Sequence, residues 1–343
     1  MVLDPVPTSE QLRALRPAKP DRDPYRHQGW VVDTEPDGLG GTAQAITLFL
    51  TGSECRFTCS MCDLWQYTLH GETPEGSLPV QIQNALSECR PTLPQALGQQ
   101  RWLKLYNAAN FFDRRNVPPS DLPSIAQLCL GMDRVIVENH AALFASREVR
   151  ESTLAFADSL DGQLEIAMGL ETIDAGAMSQ LNKRMTCEQF ESACEFLRRH
   201  GIAIRAFVLL QPPGIPPESA VDACVQACIA AWSWGVETCC IIPTRPGRGW
   251  LQTQQSQRLW QPPNAAQMEI AIDAAIDWLK DHRSRSSLTA GERHPIVLSD
   301  LWDWEGVVGT CNVCREARRN RLHAIHLQQS PIAPWNCPTC IHH

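Results

Sequence analysis

No stretch of this 343-residue chain approaches the roughly 18 consecutive apolar residues a membrane-spanning helix needs. The opening MVLDPVPTSE has neither the basic region nor the apolar run of a secretory leader. The protein is therefore expected to be soluble and cytoplasmic, with no membrane partner. Positive charge is also short: 38 acidic residues against 30 basic ones leave a formal net charge of -8. Nothing global draws such a chain to nucleic acid or an anionic bilayer, so any polyanion must be held locally. No internal repeat or low-complexity tract is present. An even cysteine count is missing too: fifteen cysteines in a long chain without a leader argue against a disulfide framework and for a reducing compartment.

What is present is length enough for an enzyme barrel with an appendage. With 43% hydrophobic and 20% charged residues, the chain can bury a sizeable core. Residues 1–42 are rich in proline and charge and read as an extended arm ending in Gly38-Leu39-Gly40-Gly41. Beyond them, apolar runs predict strands at 45–50, 102–106, 135–137, 164–168, 203–210 and 237–242. Helical patterns between them cover about 78–98, 120–131, 150–160, 187–200, 218–234 and 264–282. Thr186 and Gln189 form a capping box at one helix start, and another helix begins at Asn264. Strands alternating with helices imply parallel pairing through right-handed crossovers, in an open barrel or a doubly wound sheet. Both architectures place chemistry in the loops after the strand carboxyl ends.

Seven cysteines fall into two tight groups, and the other eight (Cys89, Cys129, Cys187, Cys194, Cys224, Cys228, Cys239 and Cys240) sit in apolar patterns as core filler. The first group, Cys55-Arg56-Phe57-Thr58-Cys59-Ser60-Met61-Cys62, puts three thiols within eight residues on a loop leaving the first expected strand. A structural zinc site closes with four ligands, and the nearby Asp63 and His70 are ill spaced to be the fourth. Three thiolates suit a four-iron cluster with one iron left open to a small molecule.

This CxxxCxxC loop in an α/β chain resembles the radical S-adenosylmethionine enzymes. Further stretches are similar to the branch holding the Elongator catalytic subunit, the methylthiotransferases and the radical subunit of archaeal archaeosine synthase. They are Leu103-Lys104-Leu105-Tyr106-Asn107-Ala108-Ala109-Asn110-Phe111-Phe112-Asp113, Val137-Glu138, Met168-Gly169-Leu170-Glu171-Thr172, Leu181-Asn182-Lys183 and Leu209-Leu210-Gln211-Pro212-Pro213. The chain departs from the archaeal pattern at Asn107-Ala108-Ala109-Asn110, where serine-glycine-serine is usual, and at Gln211, where lysine is usual. The resemblance implies a [4Fe-4S] cluster on Cys55, Cys59 and Cys62, with S-adenosylmethionine on its open iron. One electron would cleave the sulfonium to a 5′-deoxyadenosyl radical, which takes hydrogen from a substrate. It also implies an electron donor, and transfer RNA or a partner enzyme as further partners.

Under that resemblance the cofactor-binding set is Met61, Asn107, Glu138, Glu171, Lys183 and Arg205. Glu171, just past a strand, suits ribose hydroxyls. Arg205 interrupts an apolar strand, and a cofactor carboxylate or Glu138 would be a natural partner for a guanidinium costly to bury alone. His140 lies at a strand end but reads more readily as structural, as the tryptophans do as packing. Thr244-Arg245-Pro246-Gly247-Arg248-Gly249 reads as a plain loop or a phosphate cradle.

The second group, Cys311-Asn312-Val313-Cys314 and Cys337-Pro338-Thr339-Cys340, has zinc-ribbon spacing, and its four thiols also suit an auxiliary iron–sulfur cluster. Between the pairs, the basic run from Arg315 to His323 reads as a solvated helix face or a grip on RNA phosphate. Taken together, the expected architecture is a partial (βα)6 TIM-like barrel: an N-terminal arm at 1–42, a radical S-adenosylmethionine core at 43–283 and a C-terminal cysteine-metal region at 284–343. A modified guanine base in transfer RNA, with a lysine-derived side chain, is the expected substrate. A peptide or small molecule remains the alternative, and a non-catalytic zinc-binding adaptor is the rival of another class.

Overall fold

In the computed structural model, which describes residues 8–89, 99–285 and 293–339, eight strands form one sheet in sequence order. They are β1 (Gly29–Pro36), β2 (Thr42–Phe49), β3 (Gln100–Tyr106), β4 (Arg134–Glu138), β5 (Gln163–Glu171), β6 (Ala203–Leu210), β7 (Thr238–Pro243) and β8 (Ile296–Ser299). β1 runs antiparallel to β2, and each later neighbour is parallel to the last. The sheet curls into a half-barrel whose edges, β1 and β8, do not pair with each other. The helices are α1 (Ser9–Ala14), α2 (Ser77–Cys89), α3 (Leu122–Leu128), α4 (Arg147–Asp158), α5 (Ala175–Gln180), α6 (Cys187–Arg199), α7 (Ala220–Ser233), α8 (Trp250–Ser256), α9 (Ala265–Arg285) and α10 (Arg315–Gln328). None of these helices is long and apolar enough to cross a membrane.

The capping box at Thr186 and Gln189 is present. Asn264 and Gln267 exchange reciprocal side-chain to backbone bonds at 2.9 Å to open α9. The outer sheet face, with Leu48, Leu103, Val135, Ile166, Ile204 and Ile241, packs on apolar helix faces that include Ile82, Phe156, Phe190 and Ile276. Six of the eight filler cysteines are buried, while Cys187 and Cys240 are partly so, and every described cysteine is free of a disulfide.

Two strands lie where none is predicted. Residues 29–36, inside the expected arm, form β1, and residues 296–299, inside the expected C-terminal region, form β8. Both flank the six predicted strands, so the barrel units are extended at each edge. The arm is also not free: Arg16 and Lys19 bind the Glu54 carboxylate at 2.6 and 3.0 Å.

Strand alternation turns a second set of side chains inward. A small apolar cluster of Ala43, Ala45, Trp102, Ile136 and Ala167 lines this inner face. Toward the strand amino ends lies a buried ion-pair floor: Lys104 and Arg205 bind Glu35, and Arg134 and Arg205 bind Glu165. The small Ala43 and Ala45 of β2 leave room for Lys104 to reach across to Glu35 on β1.

Candidate cofactor and metal site

β2 delivers the chain through Leu50–Glu54 into the Cys55–Cys62 loop, and three neighbouring segments hold the loop and its entry. Asn116 Nδ2 donates to the carbonyls of Ser53 at 3.0 Å and Glu54 at 3.2 Å. Asn182 Nδ2 donates to the Thr58 carbonyl at 2.7 Å. The Ser60 amide and hydroxyl donate to the carbonyls of Leu181 and Gln180, both at 2.9 Å. Gly247, with φ +58°, lies so close that a Cβ would come within 2.8 Å of the Met61 carbonyl. The turn 244–249 therefore buttresses the loop, and Arg245 is engaged by Asp300 at 3.0 Å, which leaves the phosphate-cradle reading without its first cation.

Burial pushes the three thiols up, Cys59 to about 11, with Lys183 pulling the other way at Cys55 and Cys59. Metal binding at this loop must therefore displace protons. Asn110 Nδ2 donates to Cys55 Sγ at 3.2 Å. Among the described residues, the cysteine sulfurs gathered within 4.8 Å of one another are those of Cys311, Cys314 and Cys337, not the trio in this loop.

The strand ends around the loop carry backbone strain. Ala108, Glu171 and Gln211 take left-handed φ values of 56°, 67° and 60° at the ends of β3, β5 and β6, a conformation rare for residues other than glycine. At Glu171 the turn aims the carboxylate back onto Lys183 Nζ at 2.8 Å. Burial would lower the Lys183 ammonium, but Glu171 and the cysteines outweigh it and raise it. The pair lies over Gly169, where a Cβ would fall 2.5 Å from Lys183 Nζ and closer still to Glu171. His140 stacks on Phe57 of the loop, with ring centroids 3.7 Å apart. Its Nδ1 accepts the Ala142 amide at 3.2 Å, so Nε2 carries the proton and donates to the Lys183 carbonyl at 3.1 Å. Burial, then Lys183, holds it neutral, down to about 3. His140 is a positioning residue that ties the cysteine loop to Lys183.

Two polar groups at the same mouth lack protein partners. Asn107 is fully buried, and its Nδ2 has no hydrogen bond among the described residues. Glu138 ends β4 on the inner face, its carboxyl makes no hydrogen bond or ion pair among the described residues, and burial alone pushes it up to about 8. Both are expected cofactor contacts, and both have donors or acceptors to spare. Met61 packs its side chain toward Leu12, Trp250, Leu251 and Trp260 instead of into the mouth. Arg205 requires a correction. Its Nε bonds Glu165 at 2.6 Å while its terminal nitrogens bond Glu35 at 2.9 and 3.3 Å, so all three nitrogens are taken by internal carboxylates rather than by Glu138 or a cofactor. Sequence reasoning missed Glu35, because it lies in the supposed arm. The loop anchors Asn116 and Asn182 are also new, though Asn182 stands inside a quoted motif.

The basic run on α10 is corrected as well. Arg318 pairs with Glu269 at 2.5 Å and Arg321 with Asp273 at 2.7 Å, so these two cations bind α9, while Arg319 between them stays exposed as on a solvated face. The Sγ atoms of Cys314 and Cys337 each lie 3.7 Å from that of Cys311. Cys340 lies outside the described residues.

Against known proteins, no family model matches the chain. The chain is 25% identical over 163 residues to archaeosine synthase subunit beta of Thermococcus kodakarensis, across 46% of this chain and 48% of that protein. The match thus spans about half the length of that relative. In fold it is similar to the Elp3 protein of the archaeon Methanocaldococcus infernus lacking residues 1–46, with a TM-score of 0.51 and 10% identity over 73% of this chain and 59% of that one. The resemblance to archaeosine synthase is thus met by a relative in sequence, and the expected barrel-like fold by a solved structure.

Proposed function

We propose that this protein is a radical S-adenosylmethionine enzyme, with Cys55, Cys59 and Cys62 as the ligands of a [4Fe-4S] cluster. The observation that carries the reading is convergence at one mouth: three thiols on an anchored loop, the unpaired Glu138, the orphaned Asn107 amide and the Glu171–Lys183 pair over a required glycine. When bound, the cluster and cofactor supply an electron to the sulfonium and the radical that takes a hydrogen atom from substrate. The chain's own residues bind and orient. Glu138 and Lys183 offer opposite charges to the ammonium and carboxylate of an amino-acid cofactor, Asn107 offers a free donor, and Glu171 offers an acceptor for ribose hydroxyls. The glycine at 169 keeps the space these groups share. Arg205 belongs to the barrel floor and takes no part.

The test is anaerobic reconstitution with iron and sulfide, then dithionite and S-adenosylmethionine. Formation of 5′-deoxyadenosine supports the reading, and its absence from a loaded protein overturns it.

For the substrate, the name of the curated relative and the resemblance in the Met168–Thr172 and Leu181–Lys183 stretches favour a modified guanine of transfer RNA. Its lysine-derived side chain would lose hydrogen so that a carbon–nitrogen bond can break. Mass spectrometry of transfer-RNA nucleosides from a deletion strain tests this, with accumulation of the lysine-bearing nucleoside as the expected result.

Two predictions arise at this site. Glu138, held protonated near pH 7 by burial, should ionise when it meets a cofactor ammonium. Cofactor binding should then release up to one proton, seen as a buffer-dependent heat in calorimetry at pH 7. Glu138→Gln should abolish that dependence and weaken binding about tenfold, as loss of one charge-assisted hydrogen bond does. A buffer-independent heat in the unmodified protein would remove Glu138 from the cofactor site. Asn110→Ala deletes the bond to Cys55 Sγ. It should leave iron content unchanged but make the cluster potential more negative, because hydrogen bonds to sulfur favour the reduced state. Protein-film voltammetry reads the shift.

A further inference from the structure

We propose that Cys311, Cys314 and Cys337 hold a single tetrahedral thiophilic ion, zinc by its ligand chemistry, and that this ion fixes α10 as the wall closing the half-barrel between β1 and β8. The inference stands on the C-terminal geometry and does not depend on the proposed reaction. The two measured sulfur separations of 3.7 Å match one ion. Metal–sulfur bonds of about 2.3 Å at tetrahedral angles put sulfurs about 3.8 Å apart. A four-iron cluster places each thiolate on its own iron and spreads the sulfurs farther. The surroundings are those of a metal knuckle. Cys314 is the N-cap of α10, whose dipole favours thiolates there, and the Cys311 amide donates to Cys314 Sγ at 3.3 Å. Arg321 Nε donates to the carbonyls of Ile332 and Ala333, both at 3.0 Å, drawing the returning chain along the helix so that Cys337 reaches the knuckle.

The helix so clamped lies where the sheet is open. At one edge, Gln329, just past α10 with φ 48°, exchanges two bonds with Val297 of β8 at 3.0 and 2.8 Å and so caps that strand. At the other edge, α10 packs directly against β1, the strand that carries Asp33 and Glu35. Both ring nitrogens of His326 on α10 are buried with neither bonded among the described residues. Arg318 and Arg321 tie the same helix to α9. The ion at the amino end of α10 thus holds one end of a wall whose other end is pinned by Gln329.

The test uses the full-length protein, purified anaerobically. We expect one zinc per chain by elemental analysis, retained when Cys55, Cys59 and Cys62 are replaced by alanine and lost in Cys337→Ser. Cobalt loaded in its place should give the visible bands of a tetrahedral thiolate site. Loss of zinc should raise amide exchange about tenfold or more in residues 315–328, 29–36 and 296–299, with β3 to β5 unaffected. Should Cys337→Ser fail to fold, withdrawing zinc from the unmodified protein with a thiol-reactive mercurial gives the same exchange readout. The proposal is overturned by acid-labile sulfide in the Cys55/Cys59/Cys62 triple variant, by a second site without metal, or by zinc loss that leaves exchange of α10 unchanged.

Discussion

Replacing Cys55, Cys59 and Cys62 together by alanine is expected to remove the iron–sulfur absorbance and to lower 5′-deoxyadenosine formation by at least about a thousandfold, to background, because without the cluster no electron reaches the sulfonium. The fold should survive. The loop is anchored through its backbone by Asn116, Asn182, Ser60 and Gly247, none of which uses a cysteine side chain. All three residues are partly exposed and a cysteine side chain carries little apolar area, so little apolar burial is lost. Near-ultraviolet circular dichroism of the apoprotein should therefore match that of the unmodified apoprotein. Deoxyadenosine formation persisting in the triple variant would place the reactive cluster elsewhere and end the proposed assignment.

Arg205→Met should be the most damaging single change to stability away from the mouth. It removes the cation shared by Glu35 and Glu165 and leaves two buried carboxylates underpaired. Breaking a buried ion pair costs about 3–5 kcal/mol, which for a chain of this size lowers Tm by on the order of 5 °C. Burial would raise both carboxyls, but Arg205 with Lys104 outweighs it at Glu35, and Arg205 with Arg134 at Glu165, so both are held below the usual range. Depressed carboxyls contribute stability above their unfolded pKa and lose it as pH falls. The variant's deficit should thus be full near pH 7 and shrink as pH drops below about 4.5. Cofactor affinity of the folded variant should stay within about twofold, since no nitrogen of Arg205 is free. Undiminished stability together with a large loss of cofactor affinity would return Arg205 to the cofactor site.

Much was legible along the chain because local rules act over a few residues. The apolar runs of β2 to β7, the capping box at Thr186 and the helix start at Asn264 could be read directly. So could the cysteine loop, whose spacing is itself the chemistry. β1 and β8 escaped because an edge strand of eight or four residues is stabilised by its neighbour rather than by its own apolar pattern: β1 passes from half-buried through exposed to buried positions with no alternation. Without β1 there was no Glu35, and so no means of seeing that Arg205 already had its partners.

The sequence by itself carried the chemistry proposed for the Cys55–Cys62 loop, the α/β alternation and the grouping of the C-terminal cysteines. Their signals are spacings and periods within one segment. Only the tertiary structure decided which charges are spent and which are free. Arg205, Arg318 and Arg321 found carboxylates far away in the chain, while Glu138 and Asn107 were left without partners. Pairing of buried charges depends on which strands and helices come together, and desolvation makes every such pairing decisive. A charged residue in an apolar strand therefore announces a partner without saying whether that partner is a ligand or the protein itself.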